Sequence, residues 1–331
     1  MPPPSTELSS NLREEALRCK NSLKHFTSTI IESLNITGAN AERLRKYDNS
    51  RREENVYLCF PFCFREAFTD VAIEGIRTIA LSAVLWMSYM RAQDDTIDIL
   101  GTVDPQFLFL RDLYLRESLH LLYKLFPHNS RFWELYSNYF DEYARAVLCE
   151  HNNHSTIESH YEDEEFHTIA KGKAAMAKYT VAAQAVLSGQ YEKLPLLEES
   201  LDCFHVGYQY WDDLVDWRDD ITNSKYSLLV AKALGHKSLT ERSVGSDTLC
   251  EHIGRVVHYS GLADEHLDRS FQWLERAYEL SLAADCKVWA DYLKHFQKQT
   301  VVLADDLRSI KATRERGRFP KVTKPIYRGT F

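Results

Sequence analysis

Two stretches of this chain run from aromatic and aliphatic residues straight into a carboxylate cluster. Phe204 to Asp220 reads FHVGYQYWDDLVDWRDD, and Trp86 to Asp98 reads WMSYMRAQDDTID. The first ends in Asp212, Asp213, Asp216 and Asp220; the second ends in Asp94, Asp95 and Asp98. On a helix, carboxylates four apart stand on one face, about 6 Å apart along the axis. Two such helices facing each other would surround one cavity with up to seven carboxylates. In a partly dry site that much negative charge pushes protons back on unless cations neutralise it. Hard divalent cations with oxygen ligands, Mg²⁺ above all, meet that need and in turn recruit a polyphosphate.

The rest of the composition favours long helices around such a site. Only 12 Gly and 9 Pro punctuate 331 residues, and three of the prolines fall in the first four positions. A formal charge of −8 argues against nucleic acid as a partner. Seven cysteines, odd in number and mostly within apolar helical runs, read as reduced thiols of a cytoplasmic protein. Cys59 and Cys63 are one helical turn apart, but no second pair completes a zinc site. The opening MPPPSTELSS carries no signal-peptide pattern, and the longest apolar run, Ile79 to Met90, is too short for a transmembrane segment.

Read in order, residues 1–10 form a disordered lead and Leu12 to Leu34 has a helical period. Residues 35–50 read as a polar connection. Tyr57 to Phe68 is aromatic enough to be buried or to line a pocket, so Arg65 within it needs an anion, either Glu66 or a ligand phosphate. Helices are expected over 69–98, 104–126 and 130–149. The polar stretch 150–166, with His151, His154 and His160, reads as a solvated loop. A small-residue helix over 168–188 and the second motif helix over 195–217 follow. A short helix over 223–234, a loop over 238–245 and helices near 247–260, 263–282 and 285–312 complete the chain, before a basic tail from 313 to 331. The pattern predicts an all-α fold: one domain over 11–312, a bundle of ten or more helices around a central active-site cavity.

Carboxylates and metal alone do not hold a diphosphate. Lys171, Lys173, Arg218 and Lys225 are the cations nearest the motifs in sequence. Lys171 opens an otherwise apolar helix, a costly place for an ammonium unless a phosphate or a motif aspartate meets it. Asp212, Asp216 and Asp220 form a ladder able to chelate one cation, and Asp94, Asp95 and Asp98 can bridge two. Asp213 projects some 100° away from Asp212 and is read as a ligand or as a supporting carboxylate.

The paired aspartate motifs, Gln209 three before Asp212, and KGKAAMAKYTVAAQAVLSG ending at Gly189 resemble the trans-isoprenyl diphosphate synthase and class I terpene synthase superfamily. The segment SKYSLL at 224–229, with Lys225 and Tyr226, resembles the lysine-bearing stretch after the second motif in those enzymes. The likeness covers roughly 60–235. It implies two Mg²⁺ ions on Asp94, Asp95 and Asp98 and a third on Asp212, Asp216 and Asp220, with Mn²⁺ as a substitute. It also implies a linear isoprenyl diphosphate held by Lys171 and Lys225. Ionisation would leave an allylic carbocation in an apolar cavity, where Trp86, Tyr89, Phe60, Phe64, Tyr208 and Trp211 are candidate lining residues. Tyr89, five before Asp94, stands where a large side chain limits chain length in elongating relatives.

Two departures separate the activities. Elongating enzymes follow the first motif with Arg-Arg-Gly, where this chain has ILGTVD, and they carry an amino-terminal Gly-Lys-x-x-Arg that is absent here. The sequence reading is therefore a Mg²⁺-dependent terpene cyclase. The alternative is a prenyltransferase, by chain elongation, by squalene- or phytoene-type condensation, or by transfer to another acceptor. A non-catalytic helical partner subunit is a third reading, and a homodimer is compatible with any of them.

Overall fold

The structure is a computed structural model that describes residues 10–48, 56–97, 105–154, 161–222, 226–235 and 246–315. The described residues form thirteen α-helices and one 3₁₀ turn, without a strand, in agreement with the all-α expectation. In chain order these are α1 (Ser10–Ser33), α2 (Gly38–Asp48), α3 (Val56–Cys63), α4 (Ile73–Ile97), α5 (Pro105–Leu125), α6 (Arg131–Asn153) and α7 (Asp163–Lys173). The 3₁₀ turn Ala175–Lys178 then leads into α8 (Tyr179–Ser188), α9 (Leu194–Thr222), α10 (Leu228–Leu234), α11 (Ser246–Tyr259), α12 (Leu262–Ala283) and α13 (Lys287–Glu315). None of the described helices is long and apolar enough to cross a membrane.

The helices group into two compact units, one built chiefly from α1–α5 with α8, the other from α6, α7 and α9–α13. In the first, α4 is apolar enough to be buried on several sides, and small hydroxyls let it approach its neighbours. Ser82 and Ser118 hydroxyls lie 2.9 Å apart, and the Tyr179 hydroxyl is 3.2 Å from Ser82. Glu15 on α1 is buried yet charged because Arg77 on α4 donates to it, Nε to Oε2 at 3.0 Å. Pro61 lies inside α3, and Gln184 donates to its carbonyl at 2.9 Å, satisfying an acceptor the short helix leaves over.

In the second unit α9 is the central element. Phe204 is enclosed by Trp289 and Phe296 of α13, with ring centres 5.2 and 5.7 Å away. Gly207 exists to let α12 in: a Cβ there would meet the Ser270 carbonyl at 3.0 Å and Leu274 Cγ at 2.9 Å. Gly172 plays the same part for α7 on α6, where an added Cβ would meet Ala146 Cβ at 2.4 Å. Lys178 is buried and donates to Glu142 at 2.8 Å and to Asp202, 3.1 Å from Oδ1.

Several sequence expectations change. Residues 38–48 are helical because Ala41 and Leu44, one turn apart, are buried. The expected helix over 168–188 is instead α7, the 3₁₀ turn and α8. The polar stretch is not a solvated loop where it is described: α6 continues to Asn153 and α7 starts at Asp163. His154 is 5% exposed, its ring 3.6 Å from the Tyr161 ring and its Nε2 3.3 Å from Glu165 Oε2. Tyr161 and Phe166 belong to a core with Val206, Tyr210 and Leu228. Residues 155–160, the 238–245 loop, the lead before Ser10 and the tail after Glu315 lie outside the described residues. All seven cysteines are free thiols, and five are buried.

Candidate functional site

The second motif occupies the carboxyl-terminal half of α9. Asp212 accepts a hydrogen bond from the Tyr208 hydroxyl at 3.2 Å. Burial, then the charges of Asp216 and Asp220 on the same face, push its carboxyl up to about 7, with Lys173 pulling the other way. Asp216 is also raised, by burial and then by Asp219. Asp212 and Asp216 are therefore both easier to protonate than ordinary aspartates.

Asp213 is different. It is 2% exposed, accepts from Gln209 Nε2 at 2.9 Å through Oδ1, and accepts from the Leu229 backbone N–H at 3.4 Å through Oδ2. Burial holds its carboxyl well above the usual range. With both oxygens engaged internally, Asp213 ties α9 to the start of α10. Gln209 likewise supports the motif through Asp213.

The first motif closes α4 in the other unit. Asp94 is exposed and Asp95 half-buried, while Asp98 lies outside the described residues, as does Lys225. Trp86 and Tyr89 are buried with ring centres 5.3 Å apart, and the Arg111 guanidinium carbon lies 5.7 Å from the Tyr89 ring centre. Phe60 and Phe64 are fully buried, 6.3 Å apart. Arg65 is exposed, so the argument that it is buried and needs an anion does not hold.

The basic candidates separate too. Lys171 points its ammonium at Trp273, 5.2 Å from the ring centre, so an aromatic face on α12 meets it. Lys173 meets Glu150, Nζ to Oε2 at 2.8 Å, and its charge also acts at Asp212, lowering that carboxyl. Arg218 lies over Trp217, 4.9 Å from its ring centre. Tyr226 is half-buried beside the start of α10. Trp211 is buried against Phe296, 5.5 Å between ring centres, and Tyr208 packs 5.7 Å from the same ring. The sequence reading missed Lys178, the most buried lysine of the small-residue segment; its signal was a lone ammonium inside AAMAKYTVAA.

Among the described residues, no three His, Cys, Asp or Glu side chains converge closely enough to hold a metal ion by themselves. The donor set still suits magnesium, which keeps several waters and binds through one or two carboxylates plus substrate phosphates. Asp212, Asp216 and Asp220 offer hard oxygens along one face and repel one another. A raised carboxyl stabilises the fold most when protonated, so that contribution is full below the ordinary aspartate range and is lost as pH rises through about 7. The metal-free protein should melt a few degrees lower at pH 8 than at pH 5.5. Millimolar Mg²⁺ should raise the melting temperature more at pH 8. Equal magnesium shifts at both pH values, by differential scanning fluorimetry, would count against a cation seat at Asp212.

No protein-family model and no curated protein matches the sequence. Its fold is that of the trans-isoprenyl diphosphate synthases, an all-α class. The chain aligns with heptaprenyl diphosphate synthase from Staphylococcus aureus at a TM-score of 0.71 and 14% identity, over 88% of this chain and 99% of that one. Geranylgeranyl pyrophosphate synthase from Corynebacterium glutamicum aligns at 0.67 and 13%, over 89% and 96%. A polyprenyl synthase from Caulobacter crescentus, solved with calcium and isoprenyl diphosphate, aligns at 0.64 and 14%, over 90% and 99%.

Proposed function

We propose that this protein is a Mg²⁺-dependent enzyme acting on a linear isoprenyl diphosphate, and that it is a prenyltransferase. The observation carrying the reading is Asp212, held near neutrality by burial and by its neighbours one and two turns on, in a fold whose solved examples include prenyl diphosphate synthases. Asp212, Asp216 and Asp220 would hold one magnesium ion, and Asp94, Asp95 and Asp98 the others. Bound magnesium would supply charge neutralisation to the departing diphosphate. The chain's own part is to fix those carboxylates through Tyr208, Gln209 and Asp213, and to offer Lys173, with Lys171, Arg218, Lys225 and Tyr226 as further contacts, to the phosphate oxygens. Trp86 and Tyr89 would present aromatic faces to the isoprenoid.

Prenyl transfer is preferred to cyclisation because the second motif keeps the full Asp-Asp-x-x-Asp of elongating enzymes and because the structural neighbours include heptaprenyl and geranylgeranyl diphosphate synthases. Cyclisation stays as a second reading on one observation, ILGTVD where elongating enzymes carry Arg-Arg-Gly. The test is incubation with geranyl, farnesyl and geranylgeranyl diphosphates, each alone and then with isopentenyl diphosphate, with products read by mass spectrometry. A longer diphosphate formed only with the second substrate supports elongation. Hydrocarbon or alcohol from one substrate alone would reverse the order, and release of no diphosphate under any condition would remove both readings.

A further inference from the structure

The end of α7 is fixed against α6 with little freedom. Gly172 presses on Ala146 at a spacing that leaves no room for a Cβ, and Glu150 stands one turn beyond Ala146 on α6. That crossing delivers Lys173, the last residue of α7, to Glu150. Both carboxylate oxygens are within reach of its ammonium, Oε1 at 2.9 Å and Oε2 at 2.8 Å. The two side chains are 38% and 39% exposed, so solute anions can reach the pair and the pair adds little to folding. The charge of Lys173 is also felt at Asp212, whereas Lys171 is turned to Trp273.

We propose that Glu150 is an internal competitor for the diphosphate: it keeps Lys173 positioned while the site is empty, yields it to a phosphate, and reclaims it as the product leaves. The proposal rests on the functional reading above, since it needs a diphosphate near Asp212. Its physical content is an exchange at one ammonium, carboxylate for phosphate, with no change in covalent bonds. A residue in this role lowers affinity and speeds release, so it acts on KM and kcat together.

The test uses the full-length protein with Mg²⁺ and inorganic pyrophosphate, followed by calorimetry, in the wild type, Glu150→Gln, Lys173→Met and the double variant. Glu150→Gln should bind pyrophosphate about two- to five-fold more tightly, the size of effect a half-exposed ion pair can exert. Its KM and kcat should both fall. In the Lys173→Met background the same substitution should bring no gain, which separates competition at Lys173 from general removal of negative charge. Unchanged or weaker pyrophosphate binding in Glu150→Gln, or a gain that persists without Lys173, would overturn the proposal and leave the functional reading standing. A wild-type protein that binds no pyrophosphate with Mg²⁺ would overturn both.

Discussion

Replacing Asp212 with asparagine is expected to lower kcat/KM for an allylic diphosphate by about a hundred- to a thousandfold while raising thermal stability at pH 8. The activity loss follows from removing a charge that would hold the cation opposite the departing diphosphate; one preorganised electrostatic contact of this kind is typically worth about 10²–10³ in rate. The stability gain follows from the same carboxylate. Asp212 is pushed up to about 7 by burial and by Asp216 and Asp220, so above that pH the ionised group strains the fold. Asparagine keeps a polar partner for the Tyr208 hydroxyl and removes the repulsion. Parallel kinetics and melting curves check both halves. A variant that loses stability along with activity would mean that Asp212 is a structural residue.

The second large effect is expected at Lys178. Its ammonium is the cation among Glu142, Asp202 and Glu198, with Tyr139 donating to Glu198. Burial raises Asp202 and the charge of Lys178 restrains it, so Lys178→Met leaves half-buried carboxylates without their counter-charge. Removing one partner of a fully buried pair costs about 3–5 kcal/mol, and water reaching the half-exposed carboxylates lowers the expected loss to about 2–3 kcal/mol. The pH signature is specific: without Lys178 the carboxyls rise further, so the loss should shrink at acidic pH as they take up protons and grow as pH increases. Urea denaturation at several pH values measures it. Adding Asp202→Asn should recover part of the loss, whereas an unchanged midpoint in Lys178→Met would show that the network carries no net stability.

The helical class was legible because sparse Gly and Pro leave long periodic runs, and α4, α6, α9 and α12 follow those runs closely. The burial of the helix before Asp212 was legible for a related reason: YQYW calls for it, and Tyr210 and Trp211 are buried there while Tyr208 and Gln209 are half-buried. What the sequence could not convey is which face meets which neighbour. Lys171 and Lys173 are two residues apart, yet one faces Trp273 and the other Glu150, a distinction set by how Gly172 seats α7 on α6. Arg65 looked buried by its neighbours in sequence, but the turn after α3 turns it outward. The polar stretch before α7 misled through composition, since His154 and Tyr161 hide by stacking on each other.

The inward tie made by Asp213 bears on how relatives of this chain should be sought. Adjacent acids in a signature are usually treated as interchangeable, yet here the doublet splits into a ligand candidate and a fastener with both oxygens engaged inside the protein. An uncharged asparagine could still tie the two helices, its oxygen accepting from the Leu229 amide and its amide group donating to Gln209 once the Gln209 carboxamide is turned over. Profiles that demand acid at both places would discard such chains, so the more faithful fingerprint of this helix is aspartate recurring at every fourth position.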